Sequence, residues 1–149
     1  MFMKRLLLAI QILLALVFSA YAQDDSFTQP FSQLRQDYNQ VGIVAHVKIN
    51  SISFAADDVH PLYLVRSEII EPFKGRIQRG QQLEFYFHAE EDFDVNRLVG
   101  EEWVIFLEGK YPIPPGGKGW YELENSKLSP TKINIAKMRK IRKMRKRVK

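Results

Sequence analysis

The sequence predicts a mainly β chain: five strands closed into a small barrel, with a short helix near each terminus. Three observations predict it. Between Gly42 and Leu123, strand-length stretches alternate apolar and polar residues, the pattern of strands with one buried and one wet face. Helical spacing occurs only outside that region, at Phe31, Leu34 and Tyr38 and again at Ile135, Met138, Ile141, Met144 and Val148. Five strands fall short of the roughly seven that a sandwich usually needs. Closing them on themselves protects the edges of aromatic-rich strands.

The first 22 residues stand apart from this domain. Lys4 and Arg5 precede an apolar run from Leu6 to Val17, broken only by Gln11, and Ala20-Tyr21-Ala22 offers small residues at −3 and −1. That is the pattern of a secretory signal peptide cleaved after Ala22. The apolar run is about 12 residues, short for a membrane span. The expected organisation is a signal peptide over residues 1–22, one barrel domain over residues 23–131 and a basic amphipathic helix over residues 132–149. The expected location is the periplasm or the cell exterior. The chain has no cysteine, which excludes a thiol nucleophile, a cysteine-based zinc site and lipid attachment at the cleavage site. Charge is polarised. Residues 132–149 hold 10 Lys/Arg and no acid, whereas residues 23–131 carry all 17 Asp/Glu and a net charge of −7.

Within the domain, Phe31 to Tyr38 reads as a short helix opened by Pro30. Gly42 to Phe54 is the first strand, with Ile43, Ala45, Val47 and Ile49 on the buried face. Leu62 to Ile70 is the second, with Val65 and Ile69 inward and Ser67 between them; Pro72 then ends the strand or sits at an edge. Gln82 to His88 alternates around Leu83, Phe85 and Phe87. Glu102 to Glu108 is the fourth strand, apolar on both faces and so the most buried. Trp120 to Leu123 makes the fifth, after the breaker-rich loop Tyr111 to Gly117. Five strands with flanking helices correspond to an OB-like barrel. The tail is expected to pack from Ile133 to Ile141 and to run free from Arg142 to Lys149.

Three segments bear a family resemblance. Val41-Gly42-Ile43-Val44-Ala45-His46-Val47, the strand and turn Tyr63 to Gly75 ending in Phe73-Lys74-Gly75, and Val99-Gly100-Glu101-Glu102-Trp103-Val104-Ile105-Phe106 resemble the netrin-like modules, the group that includes tissue inhibitors of metalloproteinases. The resemblance covers about residues 31–131. It implies an OB-fold barrel flanked by terminal helices in a secreted protein. Those inhibitors present an N-terminal cysteine to the protease zinc. This chain has none, and no inhibitory residue carries over.

The remaining chemistry is sparse. His46, His60 and His88 lack the spacing of a zinc site. No nucleophile elbow, zinc-protease helix or phosphate loop occurs, so no catalytic residue, metal ligand or cofactor is assigned and the chain is not expected to be an enzyme. Glu90, Glu91, Asp92 and Asp94 form an acidic loop without the EF-hand pattern and are a candidate recognition loop. Arg139, Lys140, Arg142, Lys143, Arg145, Lys146 and Arg147 are candidate contacts for an anion or an acidic partner. The acidic body argues against specific nucleic-acid binding. The expectation is a secreted, non-catalytic OB-fold module that binds a protein. The alternatives are a membrane- or polyanion-binding protein acting through its basic helix, and a protease inhibitor lacking the usual N-terminal cysteine.

Overall fold

The computed structural model describes residues 29–57, 60–112, 118–123 and 127–146. The signal-peptide stretch, most of the proline-rich loop and Arg147 lie outside the described residues. Within them the order is α1 (Phe31–Gln40), β1 (Ile43–Ala56), β2 (Leu62–Lys74), β3 (Gln82–His88), a 3-10 turn (Val95–Leu98), β4 (Glu102–Pro112), β5 (Lys118–Glu122) and α2 (Lys132–Lys146). The chain is mainly β, and its five strands close in a ring in the order β1-β2-β3-β5-β4. β1 completes the ring. Its 14 residues pair with β2 along nearly their whole length and with β4 through Ile43 to Lys48. Repeated register shifts along the β1–β2 ladder bend β1 enough to serve both neighbours. The weakest closure is between β3 and β5, which run parallel and pair only at Tyr86 and Tyr121.

Two cores result. Inside the ring, Ala45, Val47, Val65, Ile69, Phe85 and Ile105 are buried together. Those of β1, β2 and β3 are the inward positions that alternation predicts. Outside it, Leu34 and Tyr38 of α1 and Met138 and Ile141 of α2 pack on Val44, Phe73 and Phe106. β4 is therefore apolar on both faces for a reason: Ile105 and Leu107 face the inner core, Val104 and Phe106 the outer. A bridge between Val104 and Leu128, with both backbone bonds at 2.9 Å, leads the chain into α2.

Phe73-Lys74-Gly75 ties these layers together. Phe73 is buried in the outer core, and its carbonyl accepts a hydrogen bond from the Tyr38 hydroxyl at 2.6 Å. The Lys74 ammonium donates to the carbonyls of Tyr38 and Asn39, at 2.6 and 3.2 Å, and also to that of Val41. It thereby satisfies orphan carbonyls at the C-terminus of α1. Gly75 turns the chain at φ 106°, a left-handed conformation that suits glycine.

Two expectations change. β2 runs past Ile70, through Pro72, to Lys74, so of the two roles expected of the proline it takes the edge rather than the strand end. Pairing to β3 ends at Glu68, so the proline lies on a locally open edge where its missing N–H costs nothing. The tail also differs. Ile133 is 56 % exposed, while Arg142, expected to be free, donates to the Pro72 carbonyl at 2.8 Å.

Candidate functional site

α2 starts with a cap: the Thr131 hydroxyl oxygen accepts from the Asn134 amide at 3.2 Å. Lys143, Arg145 and Lys146 fill its last turn, where positive charge suits the helix dipole. Its apolar stripe of Ile135, Met138 and Ile141 is buried in the outer core. The stripe cannot fit the barrel without bringing the neighbouring arginines against β2.

Glu71 receives them. Arg139 donates to it twice, from Nε to Oε1 at 3.0 Å and from Nη2 to Oε2 at 2.8 Å, and Arg142 Nη2 lies 3.6 Å from Oε1. The hydrogen bonds from Arg139 hold the Glu71 carboxyl below the usual carboxylate range, against the desolvation that pushes it up. Arg142 and two further cations cover aromatic rings: Lys140 over Phe31 at 5.2 Å, Arg142 over Phe73 at 5.8 Å and Arg145 over Tyr38 at 6.0 Å. Four of the seven candidate residues thus have work within the fold.

Three lysines without such a role lie on an outward row of α2. Lys132, Ala136, Arg139, Lys143 and Lys146 recur at intervals of four, three, four and three along α2, and all are exposed. Lys132, Lys143 and Lys146 make no ion pair among the described residues. The row is a ridge of separated positive charges on a rigidly docked helix.

The acidic loop is built differently. Glu90, Glu91, Asp92 and Asp94 are all exposed. Asp94 caps the 3-10 turn, its Oδ1 accepting from the Asn96 amide at 3.1 Å. No cluster of three or more carboxylates or histidines suited to a metal forms among the described residues. The histidines are separate: His46 Nε2 meets Glu102 at 2.9 Å, and His88 Nδ1 meets the His60 carbonyl at 3.1 Å.

Sequence reasoning missed one constellation, at the β3–β5 seam. Glu122 is on the same face of β5 as Trp120, which packs against the inner core. Its side chain is only 11 % exposed and lies 3.7 Å from the Lys127 ammonium. Burial pushes its carboxyl up, and Lys127 pulls it part of the way back. An acid two residues from an inward tryptophan was the available signal. No helix among the described residues is long and apolar enough to cross a membrane. No family model matches the chain, and no curated protein matches it.

Proposed function

We propose that the chain is a secreted, non-catalytic OB-like module of netrin-like type that binds an acidic protein through the outward row of α2. The observation that carries this reading is the division of labour on that helix. Its apolar stripe and its arginines hold the barrel, while Lys132, Lys143 and Lys146 are left on a fixed, solvent-facing ridge. A fixed ridge pre-organises charge and spares the partner an ordering cost. The ring order β1-β2-β3-β5-β4, with its parallel β3–β5 contact, supports the OB-like description. The signal-like N-terminus supports placement outside the cytoplasm.

A protein partner is favoured over a membrane because the apolar face of α2 is already committed. An interfacial helix needs that face to enter the headgroup boundary. Here Ile135, Met138 and Ile141 are buried against the barrel.

The test compares the mature chain with a Lys132→Gln/Lys143→Gln/Lys146→Gln variant, which disturbs no described ion pair. Both are passed over immobilised polyglutamate and over vesicles rich in phosphatidylglycerol, and both are used for pull-down from the extracytoplasmic fraction. The expected result is salt-sensitive retention on polyglutamate and capture of an acidic protein, both lost in the variant. Unchanged capture by the variant removes the ridge from recognition. Strong vesicle binding with no polyglutamate retention replaces the protein partner with a membrane.

A further inference from the structure

The barrel mouth at the β3–β5 seam has the construction of an ammonium site. Three strands contribute. Phe87 comes from β3, Trp103 from β4 and Glu122 from β5, and the three line one narrow cavity with Lys127. The Lys127 ammonium lies over the Phe87 ring at 5.1 Å and over the Trp103 ring at 5.8 Å. Both distances are within the range at which an aromatic face attracts a cation. Trp103 is held by its own hydrogen bond, its indole N–H donating to Glu101 at 3.1 Å. Two aromatic faces and a carboxylate around one ammonium make the cage by which alkylammonium groups are recognised.

The fit is loose. Lys127 Nζ stands 3.7 Å from Glu122 Oε2, beyond hydrogen-bond range. The other oxygen, Oε1, is buried with no hydrogen-bond partner among the described residues. A buried carboxylate left under-satisfied is costly, and a donor that reached it would be held strongly. Nor is the site sealed. β3 and β5 pair at one position only, and the Lys127 side chain is 34 % exposed. Its ammonium therefore has a way out to solvent.

We propose that Phe87, Trp103 and Glu122 form a binding site for a primary alkylammonium group, filled in this state by the chain's own Lys127, and that an outside amine binds by exchanging with it. The ligand class is an unbranched primary amine, either a free small molecule or the side chain of a lysine in another protein. The site is separate from the lysine ridge of α2 and has the opposite charge preference. It does not depend on the acidic-partner reading.

The experiment uses n-butylammonium, the mimic of a lysine side chain, with sodium chloride at matched ionic strength as control. Lys127→Ala is expected to melt at a lower temperature than wild type. Butylammonium should restore part of that loss, saturably, and the Lys127→Ala/Glu122→Gln double variant should not respond. If Lys127→Ala does not fold in buffer, refolding from denaturant with and without butylammonium asks the same question, and amine-dependent recovery supports the site. Wild type should bind the amine at least tenfold more weakly, because Lys127 competes, with a saturable change in tryptophan fluorescence that Glu122→Gln abolishes. A lysine-containing peptide that binds better than the free amine identifies a protein ligand; the reverse identifies a small molecule. No amine response in Lys127→Ala beyond that of salt overturns the site. Rescue of that variant with no saturable binding to wild type overturns the exchange and leaves Lys127 a permanent plug.

Discussion

At the scale of single residues, two side chains carry more than their neighbours. Lys74 sets all three of its donors against backbone carbonyls around the end of α1. Burial pushes its ammonium below the usual lysine range, and the charge of Arg145 adds to that. Lys74→Met keeps the stem and removes every donor. It is expected to cost about 1–3 kcal/mol, the usual loss when hydrogen bonds from a charged group are removed, measured by urea denaturation. A midpoint equal to wild type removes the capping role. Glu122 works in the other direction. Its folded pKa is raised, so whatever stability it contributes is present below its unfolded pKa and lost as pH rises through the folded value. The ionised carboxylate is the form that burial disfavours. Glu122→Gln, neutral throughout, should melt higher than wild type at neutral pH, and the two should converge in acid. A lower melting point for Glu122→Gln at neutral pH would show that the ion pair with Lys127 outweighs desolvation. Gaining stability while losing the amine response is the trade expected where a binding site carries a strained group.

At the scale of elements, the open edge of β2 explains how α2 is seated. β3 stops pairing at Glu68, and β2 runs on to Lys74 with that edge uncovered. α2 covers it: Arg142 bonds the Pro72 carbonyl and Arg139 holds the Glu71 carboxylate. Glu71 has a depressed folded pKa. Its contribution is present above its unfolded pKa and is lost as pH falls through the folded value. Amide exchange in α2 should therefore accelerate in acid before exchange in β1 and β4 does, after correction for intrinsic rates. In Glu71→Gln, α2 should already exchange faster at neutral pH, and the acid step should be absent. Uniform acceleration across all elements would show that no separate docking equilibrium exists. Much of this architecture was legible in the sequence. Alternation placed Ile43, Ala45, Val47 and Ile49 of β1 inward, and the doubly apolar run marked β4 as buried on both faces. The seating of α2 was not legible, because Glu71 and Arg139 are 68 residues apart. Periodicity reports which face of an element is buried, not what the polar positions beside that face will meet. For the same reason Arg142 reads as free in the sequence, and Glu122 as one more strand acid.

At the scale of the whole molecule, the two cores share β1 and β4, so the helices are part of the fold rather than additions to it. Ile135, Met138 and Ile141 of α2 are at most 9 % exposed, and all three pack in the outer core. Burying such side chains contributes about 1.5–3 kcal/mol each, roughly 5–9 kcal/mol in all from the same coefficients. A domain of this size has a total stability of about 5–15 kcal/mol. Deleting residues 132–149 also bares Phe73, Val44 and Phe106 on the outer wall of the ring. The truncated chain is therefore expected to keep strand content but lose cooperative melting, near-ultraviolet dichroism and resistance to dye binding. A sharp melt within a few degrees of wild type would mean that the ring is self-sufficient. Salt separates the two kinds of contact that seat the helix. Screening weakens the exposed Arg139–Glu71 pair but leaves apolar burial intact. High salt alone should then leave α2 protected from exchange, whereas Met138→Ala, at a fully buried position, should release it. If salt releases the helix and Met138→Ala does not, the body's acidic charge, not the outer core, holds the two ends of the chain together.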